Sequence, residues 1–460
     1  MIHFPGYEQL IEKVQSNGQG HVFSYWNELS DAEKKSLLDD LSSVDFDTLS
    51  SLYRKATIAE TVNEDFSPAP YIPRPADPAT DAEWTKAHSA GIDLIRTGKV
   101  AVFIVAGGQG SRLGYDGPKG AFRMSPVKNK SLFQIHAEKV KKCSMKYGVS
   151  IPLFIMTSDV NHAATATHFA ENKNFGLDDR DLILFPQNMI PSLNTEGKLI
   201  LSSKNSIFKN PDGHGGSLTA LRTSGALDEM KHRGIEIISY FQVDNPLVNL
   251  VDPWFIGFHA LNRAEVSSKA LIKAYPEEKI GSFVRYADGS ESVVEYSDLP
   301  KEKMFLKNSD GSLAFGAGSI AIHLFDRGFI ERITSGGEIS LPFHVARKKI
   351  KEYAGGAIRE TDGFKFEKFV FDALPLAKKS VIIETVREEE FAPVKNATGV
   401  DSVESSQTLM DGLFRSWLTS RGIAVPSGVK RIEISPLVAV EPDDIPGNLA
   451  IPDEENVYIG

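Results

Sequence analysis

Apolar positions change their spacing twice along the chain, and each change marks a different kind of element. Over the first 95 residues they recur every three or four positions. Leu37, Leu38 and Leu41 follow Ser30-Asp31-Ala32-Glu33, and Leu49, Leu52 and Tyr53 follow Asp45. A serine three residues ahead of a glutamate, before such a run, is a capping box, so the spacing predicts helices here. Residues 66–80 hold five prolines, which forbids a helix interior and predicts an extended path. Helical spacing returns from Asp81 to Arg96 and stops at Gly98, a candidate C-cap.

From residue 100 the apolar runs become continuous. VAVFIVA (100–106), IPLFIMT (151–157), LILFP (182–186) and IEIISYFQVDN (235–245) read as buried strands. Helical patterns lie between them at Ser131–Tyr147 and Asn161–Asn172, the first with a second capping box from Ser131 to Gln134. Strand and helix in alternation predict βαβ units and a mostly parallel sheet covered on both faces. Shorter alternating strands over 269–325 predict an antiparallel extension. After residue 400 come a linker-like run, TGVDSVESSQ, a helix from Thr408 to Ser420, and a strand-like VKRIEISPLVAVE. The acidic run Glu388-Glu389-Glu390 reads as solvated surface. The expected organisation is a helical N-terminal domain (1–95), an α/β catalytic domain (96–400) and a small α+β C-terminal domain (401–460).

Composition narrows the functions. Hydrophobic residues are 41% and charged residues 24% of the 460, ordinary for a globular chain. Lys plus Arg number 51 and Asp plus Glu 61, a formal net charge of −10. That balance argues against nucleic-acid and anionic-membrane partners, which need a basic face. No apolar run approaches the ~20 residues of a membrane helix, and MIHFPGYEQL does not read as a secretory signal. One cysteine, Cys143, permits no intramolecular disulfide. The expectation is a cytoplasmic protein; its oligomeric state is left open.

Candidate chemistry begins directly after the first buried strand. VAGGQGSRLGYDGPKG (105–120) packs six glycines and two cations, Arg112 and Lys119, into sixteen residues. Glycines let a ligand touch the backbone, consecutive amides form an anion nest, and the cations complete a cradle for a triphosphate. It is neither common phosphate loop. The string G-x-x-x-x-G-K-[ST] is absent, and Gly108-Gln109-Gly110 meets its next glycine one position late for G-x-G-x-x-G. Asp244 closes the fourth buried run. A carboxylate at the carboxyl end of such a strand faces the ligand crevice of an open sheet, and suits a hard divalent cation.

The loop resembles the signature G-G-x-G-[ST]-R-[LM]-G…P-K of sugar-nucleotide pyrophosphorylases, most closely the eukaryotic-type UDP-N-acetylglucosamine pyrophosphorylases. Further blocks resemble that family in order, among them LFQIHAEKV (132–140), PDGHGG (211–216), FQVDNPLV (241–248), VVEYSD (293–298), FGAGSIAIHLF (315–325) and REEEFAPVKNA (387–397). The resemblance implies a GT-A-like Rossmann-type mixed sheet. It also implies a reaction of UTP with a sugar 1-phosphate, giving a UDP-sugar and pyrophosphate with Mg²⁺ or Mn²⁺. Gly107, Gly108 and Gly110 then hold the nucleotide, with Arg112 and Lys119 on its phosphates. Lys395 neutralises phosphate from across the cleft, and Asp244 takes the metal. Gln187 reads uracil, Gly213 admits the base or sugar, and Glu295 accepts from sugar hydroxyls. The chain departs from the family's D-G-N-G-G at His214, read as a loop hydrogen-bonder. It departs from F-N-A-G-N at Gly316, where loss of an asparagine opens space near the sugar's 2-substituent. N-acetylglucosamine 1-phosphate is the expected sugar; glucose 1-phosphate or a broader range is the alternative.

Overall fold

The computed structural model describes residues 2–58, 65–336 and 341–460. It divides into two compact units: residues 1–63, 188–216 and 341–370 form the smaller, and 64–187, 217–340 and 371–460 the larger.

The larger unit is built on one mixed sheet of ten strands. In chain order they are β1 (Phe66–Pro68), β2 (Val100–Val105), β3 (Leu153–Thr157), β4 (Leu182–Pro186), β5 (Ile237–Gln242), β6 (Val266–Ile272), β7 (Ser282–Tyr286), β8 (Glu291–Val294), β9 (Ala317–Asp326) and β10 (Ser380–Glu384). The order along the main path is β1-β7-β9-β5-β2-β3-β4. The stretch β4-β3-β2-β5 is parallel. β2, β3 and β5 are almost wholly buried, as a sheet covered on both faces requires, whereas in β4, read from sequence as a buried strand, only Phe185 is fully buried because that strand lies at the end of the path. Beyond β5 the pairing turns antiparallel through β9, β7 and β8, and β6 joins β9 to β10. The antiparallel extension lies where the alternating strands predict it.

Local signals start and stop the helices. Ser30 and Glu33 form the full capping box of helix Asp31–Ser42. Ser131 caps helix Leu132–Tyr147 by accepting from the Gln134 amide, but Gln134 donates its own carboxamide to Glu138 instead of closing a box. The last long helix runs Val403–Ser420, five residues earlier than expected. The serines that resemble a linker are a cap: Ser402 and Ser405 form a reciprocal box, and buried Ser406 donates to the Ala392 carbonyl at 2.7 Å. Within VKRIEISPLVAVE only Arg431–Ile434 is a strand, paired with Asn456–Ile459.

The expected boundaries at 95 and 400 do not coincide with the two units. Helix Ala82–Arg96 belongs to the larger unit, its Trp84 ring 4.9 Å from Phe258 on helix Pro253–Leu261. The C-terminal segment belongs there too. The buried carboxylate of Glu433 accepts from the Ser125 hydroxyl and the Val127 and Lys128 amides. Met410, Leu413 and Phe414 enter the same core. The first three helices share their core with Leu193, Leu199, Leu201, Phe364 and Phe366. The last two come from a long hairpin, Phe343–Ala354 with Ala357–Lys368. That N-terminal domain is therefore completed by strands from far along the chain, not by helices alone.

The acidic run is not wholly solvated. Glu390 is buried and pairs with buried Lys269, which also holds Asp252 at 2.6 Å. A buried lysine needs such partners.

Candidate active site

Among the parallel strands the spatial order is third, second, first, fourth in sequence. The connection changes direction between β2 and β5, and ligands of open α/β sheets bind beyond the carboxyl ends at this point. The glycine-rich loop leaves β2 here, and Asp244 follows β5. The topology therefore assembles what the sequence separates by more than a hundred residues. Lys119 Nζ donates to Asp244 Oδ2 at 2.7 Å, both side chains being largely buried.

Backbone bonds shape the loop. The Lys119 amide donates to the Gly108 carbonyl (3.0 Å) and the Gly110 amide to the Gly117 carbonyl (2.9 Å), closing a small hairpin with exposed Arg112 near its tip. The loop's first carbonyls are also held. Asn161 Nδ2 donates to Ala106 (2.9 Å) and Gly108 (3.2 Å), and Ser158 Oγ donates to Gly107 (2.9 Å). With those carbonyls occupied, the loop's geometry is set before an anion arrives. Neither residue is a candidate from sequence; the only signal is their place just past β3, the strand beside β2.

Gln187 follows β4, is 5% exposed, and donates its amide to the Thr157 carbonyl at 2.9 Å. A Cβ at Gly107 would stand 2.7 Å from Gln187 Oε1, so the carboxamide lies against bare backbone. The loop 391–401 joins the same place, because the Val394 amide donates to the Asp244 carbonyl at 2.9 Å. The next residue, Lys395, is half-exposed, 3.4 Å from Asp401 and over the Phe391 ring.

A second group gathers around β7, β8 and β9. Glu295 follows β8, with Oε1 3.5 Å from where a Cβ on Gly281 would stand. Gly316 is buried and its carbonyl accepts from the Lys273 amide at 2.8 Å. The space expected at Gly316 is filled. A Cβ there would meet the Leu313 carbonyl oxygen at 2.9 Å and Leu313 Cβ at 3.3 Å.

Gly213 and His214 belong to the smaller unit. Gly213 has φ +85°, and a Cβ would stand 2.4 Å from the Lys368 carbonyl oxygen, so glycine is required twice over. His214 is indeed a loop hydrogen-bonder: its Nδ1 accepts from the Val370 amide at 3.1 Å, and its ring stacks on Phe369 at 5.2 Å. Burial, then nearby His344, lowers its pKa to about 4, so the ring is neutral at neutral pH.

Residues 71–417 match the sequence profile of the family described as UTP–glucose-1-phosphate uridylyltransferase. The chain belongs to that family. Over 452 residues it is 34% identical to UDP-N-acetylglucosamine diphosphorylase 2 of Arabidopsis thaliana, covering 94% of this chain and 89% of that protein. It is 37% identical over 413 residues to the UDP-N-acetylhexosamine pyrophosphorylase-like protein 1 of Homo sapiens, covering 85% and 80%. Its fold matches the uridine diphosphate N-acetylglucosamine pyrophosphorylase of Trypanosoma brucei with a TM-score of 0.84 and 25% identity, over 100% of this chain and 99% of that one. These likenesses agree with the resemblance read from the loop and its collinear blocks, and with the mixed α/β sheet.

Proposed function

We propose that the chain transfers the uridylyl group of UTP to a sugar 1-phosphate, with N-acetylglucosamine 1-phosphate as its principal sugar. The observation that carries this reading is the glycine loop and the Lys119–Asp244 pair at the direction change of a family-typical sheet. A phosphate oxygen of the sugar phosphate attacks the α-phosphorus of UTP. The new P–O bond forms as the bond to the β-phosphate breaks, and pyrophosphate leaves. The attacking phosphate has a second pKa near ~6, so it needs no protein base. What the reaction needs is alignment and neutralisation of anions. Loop amides, Arg112 and Lys119 suit the triphosphate, and Lys395 is the further cation that neutralises phosphate. Gln187 offers the donor and acceptor that a uracil edge requires.

Among the described residues no cluster of three or more His, Cys, Asp or Glu is arranged to hold a metal ion. Asp244 nonetheless fits Mg²⁺ or Mn²⁺ brought by the nucleotide, because such ions take most ligands from phosphates and water and need only one or two carboxylates. Bound there, the ion would spread the charge of the phosphates. The Lys119 ammonium already holds one oxygen of that carboxylate. Among the described residues no helix is long and apolar enough to cross a membrane; a cytoplasmic setting, suited to the single buried Cys143, is part of this proposal.

The second reading, glucose 1-phosphate or a broader range, is favoured by His214 and Gly316 standing where the resembling family has asparagines. Pyrophosphate release from UTP and Mg²⁺ with N-acetylglucosamine, N-acetylgalactosamine, glucose and galactose 1-phosphates decides between them. Preference for the N-acetyl sugars is the expected result. Preference for glucose or galactose supports the second reading. Release with none of the four, alongside UTP binding in calorimetry, would instead indicate a nucleotide-binding regulator.

A further inference from the structure

Asn245 stands one residue past Asp244, is 4% exposed, and reaches with both ends of its carboxamide to a segment about 145 residues further on. Its Nδ2 donates to the Glu390 carbonyl at 2.6 Å, and its Oδ1 accepts from the Ala392 amide at 3.1 Å. The carbonyl before a residue and the amide after it are the pair that a neighbouring parallel strand would engage. β5 ends at Gln242, so a side chain continues pairing that the strand has stopped making. The Asp244 carbonyl adds the next bond, from the Val394 amide at 2.9 Å. Bonds at the alternate residues 390, 392 and 394 therefore end on two successive residues just past β5. That end is itself clamped: Lys139, on helix Leu132–Tyr147, donates to the Pro246 carbonyl at 2.6 Å and the Val248 carbonyl at 2.9 Å.

The cargo of this joint is Lys395. Its ammonium lies 3.4 Å from Asp401, and its amide donates to the Asp401 carbonyl at 2.7 Å. Both contacts stay within loop 391–401, so they shape the loop without tying it to the sheet. Ser406 Oγ, donating to the Ala392 carbonyl at 2.7 Å, ties the segment to helix Val403–Ser420. Asn245 and Asp244 tie it to the end of β5. We infer that Asn245 is a positioning residue for uridylyl transfer that acts through Lys395: it fixes the lysine's segment to the end of β5 and so holds the ammonium within reach of phosphates gathered at Lys119 and Asp244. A lysine side chain is flexible, so its reach depends on where its backbone is held. Asparagine suits the task because it offers a donor and an acceptor on one short planar group, whereas ionised aspartate only accepts.

This inference rests on the uridylyl-transfer reading, and its test separates the two. Asn245→Ala and the isosteric Asn245→Asp are made in the full chain, alone and combined with Lys395→Ala. In pyrophosphate release each single variant should lose about 10- to 100-fold in kcat, the scale of misplacing a reacting group by ~1 Å. The KM values for UTP and the sugar phosphate should hold, because the loss falls on alignment in the transition state. In the Lys395→Ala background the further loss should shrink to about twofold, since nothing is left to position. Hydrogen exchange of the ligand-free protein needs no turnover: the 391–396 segment should exchange faster in Asn245→Ala while β5 holds. Ser406→Ala loosens the same segment from its other side and is the control; at a similar fall in melting temperature it should keep most of kcat. Additive losses in the double variant, or a kcat in Ser406→Ala as low as in Asn245→Ala, overturn the positioning role. Unchanged exchange in a chain whose wild type is active overturns the joint alone. Asn245→Asp carries these comparisons should Asn245→Ala not fold. A wild-type protein inactive with every sugar 1-phosphate overturns the transferase reading, and the role of Asn245 with it.

Discussion

The two groups of candidate residues in the larger unit are built in opposite ways. At the carboxyl ends of β2 and β5 the charges answer one another. Lys119 meets Asp244, the Ala106, Gly107 and Gly108 carbonyls have donors, and Arg112 is exposed. Around β7, β8 and β9 a cation, Lys273, is buried without an acceptor, beside Gly316, packed so closely that a Cβ there finds no room. The first arrangement suits a strongly charged ligand that brings its own driving force. The second is dry and closely packed, a setting in which an unmet hydrogen bond is costly.

The largest effect that would break this contrast is at the first group. Lys119→Met leaves Asp244 without its cation, and turnover should fall about 10²- to 10³-fold, the scale of losing one preorganised electrostatic group. Pyrophosphate release and circular dichroism together check it: near-normal turnover in a folded variant would remove Lys119 from the phosphate site.

Acid should weaken the scaffold under both groups. His136 holds the Val243 carbonyl beside Asp244, and His259 bonds Ser267 on β6. Burial lowers both from 6.5 to about 3, with Lys139 adding to the effect at His136. The unfolded chain takes up these protons near pH 6.5 and the folded chain does not, so stability is present above 6.5 and lost as pH falls toward 3. At pH 5 each histidine costs about 2 kcal/mol. Melting temperatures between pH 7 and 5 test this, and a flat profile would contradict the neutral buried state. His259→Leu should remove its own share, about 2 kcal/mol at pH 5.

At the second group, Gly316→Asn sharpens the contrast. The resemblance suggests that asparagine would restore a sugar contact, but Leu313 occupies the position of its Cβ. Overpacking predicts a loss of about 1–3 kcal/mol in stability, read as a lower melting temperature. A stable variant with higher relative activity on N-acetyl sugars would show that Leu313 yields. The smallest effect belongs to Glu295→Gln, which keeps one acceptor oxygen. Its sugar KM should rise several-fold, about 1 kcal/mol, while the KM for UTP holds; equal change in both would place Glu295 outside the sugar contact.

Legibility followed the range of the forces involved. The strand runs, the Ser30 cap and the loop after β2 are local signals, each written within sixteen residues or fewer. An acidic run such as Glu388–Glu390 reads as solvated until its buried cation, Lys269, 121 residues before Glu390, is seen. Ser402–Ser406 looked like a linker because serine caps and serine linkers have the same composition. Asn161 and Ser158 carry no motif, and Lys273 is an ordinary lysine until burial strips its water.

By itself the sequence determined the class of fold, the glycine-rich turn at residues 105–120 and the family, because strand periodicity, caps and glycine spacing are short-range constraints on backbone geometry. Only the tertiary structure decided that Lys119 reaches Asp244, that the N-terminal helices share a core with residues 341–370, and that Lys273 is buried without an acceptor. Those facts depend on which distant segments exclude water from one another, and hydrophobic burial acts through space without regard to chain distance.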